Sequence, residues 1–430
     1  MGRIRYFIYG TIIVALFAFI HYIFPPEWSR WIQNTNALFS GTNIQHLGLF
    51  ILGSFFFVVF VLLYGINFLA SFGRVAYPEG SEHFTPPLSV IIPAKNEERV
   101  IGNTLESFSN SAYPKDILEL IVVASGSTDK TVEICHEYKT RHTSLDIKIV
   151  TEDLPKKGKP AALNHGLKYA THDLICIYDA DTLIRADTLQ SLVRHLYNPE
   201  IAATSGPVVV RNWDTNILTK GIALEYTYVS GTGLYHAVRD HLGRSLWLMG
   251  RNYCIRKAIL EQFGGWNEDA LTEDLHLSAQ LSAAKKKVKY APHAFISENV
   301  PTTFKAFRHQ RRRWVGGYKQ GLDAAMELDK RTVILRNLAM MHHGNCLDFS
   351  LGAILTAIIF GIAGEFFVMI VCLTIFIFPF GTYVNAVRKF ADGRYRLLLY
   401  YFVTIFIDIN MFITQFKSIE KLEWEKTALD

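Results

Sequence analysis

Hydrophobic positions follow two different patterns along this chain. Near its ends they form long runs. Residues 6–24 and 47–72 contain no Lys, Arg, Asp or Glu, and further apolar runs occupy about 347–364, 366–384 and 397–416. Each of the first two reaches the roughly 20 residues that a helix needs to span a bilayer. The first is followed by "FPPEW" rather than a small-residue cleavage site, so it reads as a membrane helix and not a signal peptide. Between the runs the pattern is that of a soluble domain. "LSVIIP" (88–93), "LELIVVASG", "DIKIV" and "DLICIYDAD" predict strands. "VIGNTLESFSNS", "STDKTVEICHEYKT" and "KPAALNHGLKYA" predict helices, the second with Ser127 or Thr128 as its cap. Strands alternating with helices predict an α/β fold with a largely parallel sheet. Beyond residue 210 the alternation loosens. It gives a long amphipathic stretch over about 218–238, a strand "SLWLMG", a turn "FGGW", a helix from "TEDLHLSAQL" and a strand "KVKYA".

Charge gives this layout a direction. Arg3 and Arg5 precede the first run, Arg74 follows the second, and the loop between them holds only Arg30. Basic residues favour the cytosolic side. The expected organisation is a membrane region over 1–85 with two transmembrane helices, then a cytosolic α/β domain over 86–300. Amphipathic interface helices follow over 301–346, and a membrane region with about three apolar spans over 347–430. Five cysteines without a CxxC spacing suit a reduced compartment. The net charge of +5 is mild and gives no argument for nucleic acid.

In α/β sheets ligands bind beyond the carboxyl ends of the strands, which selects residues 93–97, 124–129 and 178–182. "YDAD" places Asp179 and Asp181 there. Two such carboxylates repel unless a cation or donors compensate, and Mg²⁺ or Mn²⁺ bridging them to a diphosphate would do so. The bland alternative is a solvated Asp pair in a loop. In "ALTEDLHLS", Glu273 and Asp274 are either first-turn acids behind a Thr272 cap or hold a general base at Asp274. In "PKKGKPAALNHG", Lys156, Lys157 and Lys159 read either as a phosphate site before a helix or as a solvated basic loop. "HQRRRWVGGY" (309–318) follows at helical spacing in a basic, aromatic stretch, as in a helix lying on a membrane surface.

The ordered set "IIPAKNEE", "SGSTDKT", "GKPAALNHGL", "YDAD", "TED" and "QRRRW", lying between apolar spans, resembles the membrane-embedded family 2 glycosyltransferases, the group of the cellulose, hyaluronan, chitin and poly-N-acetylglucosamine synthases. The resemblance covers about residues 86–320. It implies a nucleotide-diphospho-sugar transferase (GT-A, Rossmann-like) domain inserted between transmembrane helices, inverting transfer from a UDP-sugar, and Mg²⁺ or Mn²⁺ as cofactor. By resemblance, Pro93, Ala94, Asn96, Glu97 and Lys159 line the nucleotide. Asp179 and Asp181 meet ribose, diphosphate and metal, and Asp274 is the base beside Glu273. Gln310, Arg313 and Trp314 face acceptor and diphosphate, while Arg311 and Arg312 point to lipid or the protein surface. The sequence departs from the pattern in two places. Ala124 and Ser125 stand where an acid usually precedes "GSTD", and "WLMGRNYCIR" replaces a run of small residues. The acceptor implied is a growing saccharide or, in a second reading, a membrane lipid. An inactive scaffold is a third, disfavoured because all three aspartates are present.

Overall fold

The computed structural model describes residues 65–317 and 366–415, except 155, 157, 244 and 245, together with isolated residues outside those ranges. Most of the apolar runs 6–24 and 47–72 and nearly all of 347–364 lie outside the described residues. Among the described residues no helix is long and apolar enough to cross a membrane.

A seven-stranded sheet forms the centre, in the order β3-β2-β1-β4-β8-β6-β9. Its strands are β1 (Leu88–Pro93), β2 (Leu118–Val123), β3 (Asp146–Val150), β4 (Leu174–Ile177), β6 (Ile201–Ser205), β8 (Tyr253–Arg256) and β9 (Lys287–Tyr290). β3, β2, β1 and β4 are parallel, while β8 runs antiparallel to both β4 and β6. The sheet is therefore mixed. A second sheet orders β5 (Leu183–Ile184), β10 (Ile296–Glu298) and β7 (Val208–Val210). β1 and β2 are apolar throughout because both of their faces are covered. Alternate residues supply two cores. Leu88, Val90 and Ile92 pack with Ile101, Leu105 and Phe108 of α1 (Ile101–Ser109), whereas Ile91 and Ile121 pack with Ala162 and Leu163 of α3 (Lys159–Leu167). Gly166 lets α3 approach the sheet: a Cβ there would lie 2.7 Å from Ile91 Cγ2.

Several expectations shift. α2 spans Thr131–Arg141. Its first amide is held by Asp129, whose carboxylate accepts the Thr131 N–H at 3.0 Å, rather than by Ser127 or Thr128. The short α4 (Thr188–Val193) precedes β6, and the stretch after residue 216 is two helices, α5 (Ile217–Tyr228) and α6 (Leu234–His241). They are broken at Gly231, Thr232 and Gly233, where Thr232 adopts φ 50°. Residues 246–250 of "SLWLMG" form no strand; β8 begins only at Tyr253. The reason lies in its hydrogen bonds. The Leu248 N–H donates to Ser278 Oγ at 2.7 Å, and the Gly250 carbonyl accepts from Lys159 at 2.6 Å, so side chains of two helices take the place of a ladder. α7 (Lys257–Gln262) leads to the "FGGW" turn, and α8 spans Glu273–Ala283. The basic, aromatic stretch is a helix over 304–317, here α9. α10 (Phe366–Phe390) and α11 (Tyr401–Gln415) pack on α5, with the 3₁₀ segment Tyr395–Tyr400 between them.

Candidate active site

Because β1, β2 and β4 run parallel, their carboxyl ends share one edge. The backbone closes that edge tightly: Ala94 N–H donates to the Val123 carbonyl at 2.9 Å, and Tyr178 N–H to that of Ile91 at 3.3 Å. Pro93 ends β1 opposite Val123. Asn96 takes a left-handed φ of 57°, a conformation asparagine tolerates, and its Oδ1 accepts the Thr128 N–H at 2.8 Å. Glu97 N–H donates to Thr131 Oγ1 at 2.8 Å. The two loops after β1 and β2 are thereby tied into one wall.

Since β8 is antiparallel to β4, its start meets the same edge. Asn252 N–H donates to the Ile177 carbonyl at 2.8 Å, which sets Gly250 and Arg251 beside the Asp179–Asp181 turn. Gly250 is the hub. Its carbonyl accepts from Lys159 Nζ at 2.6 Å, and its N–H, like that of Leu275, donates to Asp274. A Cβ at 250 would lie 3.1 Å from Lys159 Nζ, 3.4 Å from Asp274 Oδ2 and 3.6 Å from Glu273 Oε1, so the three side chains converge on it. Lys159 Nζ also pairs with Asp179 Oδ1 at 2.5 Å and with Glu273 Oε1 at 3.3 Å. Lys156 instead pairs on the surface with Asp269 at 2.5 Å, as a solvated loop would; Lys157 is outside the described residues.

The electrostatics divide the acids into distinct environments. Burial, and then the neighbouring Glu273, push the Asp274 carboxyl up to about 6, while Lys159 and the two backbone amides hold it down. Asp181 is pushed up to about 7 by burial and by Glu298, Asp179 and Glu97, with Arg251 opposing. Lys159 is desolvated, yet Asp179 and Glu273 keep its ammonium above the ordinary lysine range. A carboxyl raised by surrounding carboxylates marks an excess of negative potential that a divalent cation relieves. Asp179 and Asp181 therefore fit a hard cation. Among the described residues no three acids, histidines or cysteines form a complete cage, so phosphate oxygens would have to complete such a site.

Arg251 of "WLMGRNYCIR" was expected to adapt the site to its acceptor, but its partners were not foreseen. Arg251 makes a bidentate pair with Glu298, Nε to Oε2 and Nη2 to Oε1 both at 2.5 Å, and Tyr226 Oη donates to Glu298 Oε1 at 3.1 Å. Glu298 ends β10, whose Ser297 pairs with Leu183 just past Asp181. An acid at a strand's carboxyl end was the available signal.

α9 closes the other side. Its Gly317 lies against Thr272: a Cβ there would come within 1.9 Å of Thr272 Oγ1. Thr272 stands at the N-cap of α8 with Glu273 and Asp274 in the first turn, as the helix-start reading has it, but its hydroxyl makes no capping bond. Gln310 and Arg313 lie seven and four residues before Gly317, on the same face. Both are half-buried, and Gln310 Oε1 and Arg313 Nε have no hydrogen-bond partner. Arg312 is exposed, as expected. Arg311 contradicts expectation. It is 2% exposed, pairs with Glu225 Oε2 at 2.7 Å, and donates to Ser230 Oγ at 2.8 Å. Its guanidinium lies 5.0 Å from the Phe307 ring centre and 4.4 Å from that of Trp314. Trp314 thus belongs as much to the Arg311 side as to the Arg313 side.

Comparison with known proteins places the α/β domain in a family. The family model "Glycosyltransferase like family 2" covers residues 86–317. A probable glycosyltransferase, YdaM of Bacillus subtilis, is 36% identical over 54% of this chain and 55% of its own length. The β-monoglucosyldiacylglycerol synthase of Nostoc sp. is 30% identical over 66% of this chain and 60% of its own. The poly-β-1,6-N-acetyl-D-glucosamine synthase of Staphylococcus epidermidis is 30% identical over 57% and 58%. The matches thus span a little over half of each relative. The family match takes in the whole α/β domain, the converging carboxylates and α9, and on that ground this chain belongs to glycosyltransferase family 2, with a GT-A-like α/β fold built on a mixed sheet.

Proposed function

We propose that this chain transfers a sugar, with inversion, from a UDP-sugar to a saccharide acceptor, extending a polysaccharide at the plasma membrane from the cytosolic side. The convergence of Lys159, Glu273 and Asp274 on Gly250, beside Asp179, carries the reading. It sets a buried base next to the acids suited to a diphosphate. Asp274 accepts the proton of an acceptor hydroxyl whose oxygen bonds to the anomeric carbon, while the bond from that carbon to the diphosphate oxygen breaks on the opposite face. Glu273 and Lys159 set the charge around that base. Pro93, Ala94, Asn96 and Glu97 wall the nucleotide, and Ser125 stands at the base end where Ala124 offers no acid. Asp179 and Asp181 would hold Mg²⁺ or Mn²⁺, which supplies positive charge to the leaving diphosphate. Arg313, with its free Nε, adds to that charge, while Gln310 and the Trp314 ring receive the acceptor. Support for the membrane setting is in the sequence: the charge-free runs 6–24 and 47–72, and the arginines that flank them.

A second reading, one transfer to a membrane lipid, is favoured by the match to a glucosyldiacylglycerol synthase. Radiolabelled UDP-sugar separates the two. A ladder of products supports extension, and one organic-soluble product overturns it in favour of the lipid. Arg313→Ala should lower transfer by about 10²-fold, the scale of losing one preorganised donor. Exposed Arg312→Ala should leave it within a few-fold, and equal loss from both would contradict the facing of α9.

A further inference from the structure

Arg311 is a buried cation that the proposed chemistry does not use. It is held on three sides. Glu225 of α5 takes both terminal nitrogens, Nη2 to Oε2 at 2.7 Å and Nη1 to Oε1 at 3.2 Å. Ser230, just past α5, accepts from Nη1 at 2.8 Å and donates to Glu225 Oε1. The aromatic rings of Phe307 and Trp314, one turn to either side on α9, flank the guanidinium. At the far end of α9, Gly317 rests against Thr272. A helix touched on one face can roll about its axis. One pinned at two different azimuths cannot, and residues 311 and 317 lie on clearly different faces. The pin also continues past α9. Glu225 is followed by Tyr226, which holds the Glu298–Arg251 pair beside Asp181. The end of α5 therefore grips both the acceptor-side helix and the aspartate turn.

We infer that Arg311 is a positioning residue: its buried pair with Glu225 fixes the roll of α9, so that Gln310 and Arg313 face the base and Trp314 presents a fixed ring to the acceptor. This rests on the proposed reading of the site as a sugar-transfer centre. Lysine cannot replace arginine here, because one ammonium offers neither the fork that matches both carboxylate oxygens nor a flat face for the two rings.

The test compares full-length wild type, Arg311→Lys and the double variant Arg311→Met/Glu225→Leu, each for thermal stability and for kcat and donor KM. The double variant removes both charges at once, so no lone buried carboxylate remains. The expectation is near wild-type stability for the double variant, with kcat lower by about 10²-fold, the scale of a misplacement of about 1 Å, and donor KM within about threefold. Arg311→Lys should lose kcat likewise. Recovery of kcat together with stability in the double variant would show the pair to be merely structural and would overturn the inference alone. If the double variant fails to fold, wild-type kcat in Arg311→Lys overturns it, and lost kcat at unchanged donor KM supports it. A wild type that releases no UDP from any donor overturns the reading of the site, and this inference with it.

Discussion

Asp274→Asn is expected to lower transfer by about 10²–10⁴-fold, the usual contribution of a positioned general base, with little loss of thermal stability. The amide keeps the size of the carboxyl and can still accept from the Leu275 and Gly250 amides, but it cannot take a proton. The pH profile makes the assignment sharper. Burial and Glu273 raise the Asp274 carboxyl to about 6. A base acts only when deprotonated. Wild-type kcat/KM, which reports the free enzyme, should therefore rise with pH through about 6, falling roughly tenfold for each unit below it, and level off above. That limb should vanish in the variant. Activity within tenfold of wild type, or an unchanged limb in the variant, would remove Asp274 from the role of base.

Lys159→Met is expected to damage both folding and chemistry. Among the described residues the ammonium is the one cation that pairs with both Asp179 and Glu273, and it also acts on Asp274. Breaking a buried pair by removing one partner costs about 3–5 kcal/mol, a large part of a typical stability of about 5–15 kcal/mol. Methionine fills the volume but leaves the carboxylates to repel one another. The Asp274 carboxyl, already raised on folding by burial and Glu273 and held down by Lys159, then rises further. A carboxyl raised on folding destabilises the native state above its unfolded pKa, and that penalty fades as pH falls through the folded value. The stability deficit should be largest near neutral pH and shrink toward pH 5. Lys159 holds the Asp274 carboxyl down, so in the variant the acid limb of kcat/KM should also move to higher pH. An equal stability deficit at both pH values with an unshifted limb would show that Lys159 acts by packing alone.

The parts of this protein that could be read from sequence are those whose physics is local or repetitive. Parallel strands covered on both faces appear as unbroken apolar runs, so β1, β2 and β4 and the loops at their carboxyl ends could be placed, and with them Asn96, Asp179 and Asp181. The acids of "TED" could be placed at a helix start because first-turn acids suit the helix dipole. What escaped depends on partners distant in sequence. "SLWLMG" is a short apolar run like that of a buried strand, but Lys159 and Ser278 take its backbone groups. The pair Arg251–Glu298 forms only once the registers of β8 and β10 are set. Three consecutive arginines look alike in composition. A helix turns them about 100° apart, and which one is buried was decided by Glu225, 86 positions away.

UDP release by the purified full-length chain in lipid, measured over a panel of UDP-sugars with Mg²⁺, Mn²⁺ or a chelator, tests the central claim most directly. The account predicts release with at least one donor, dependent on the cation and on an acceptor, and reduced by at least about 10²-fold in Asp274→Asn. No release from any UDP-sugar, or release that Asp274→Asn leaves intact, would contradict it.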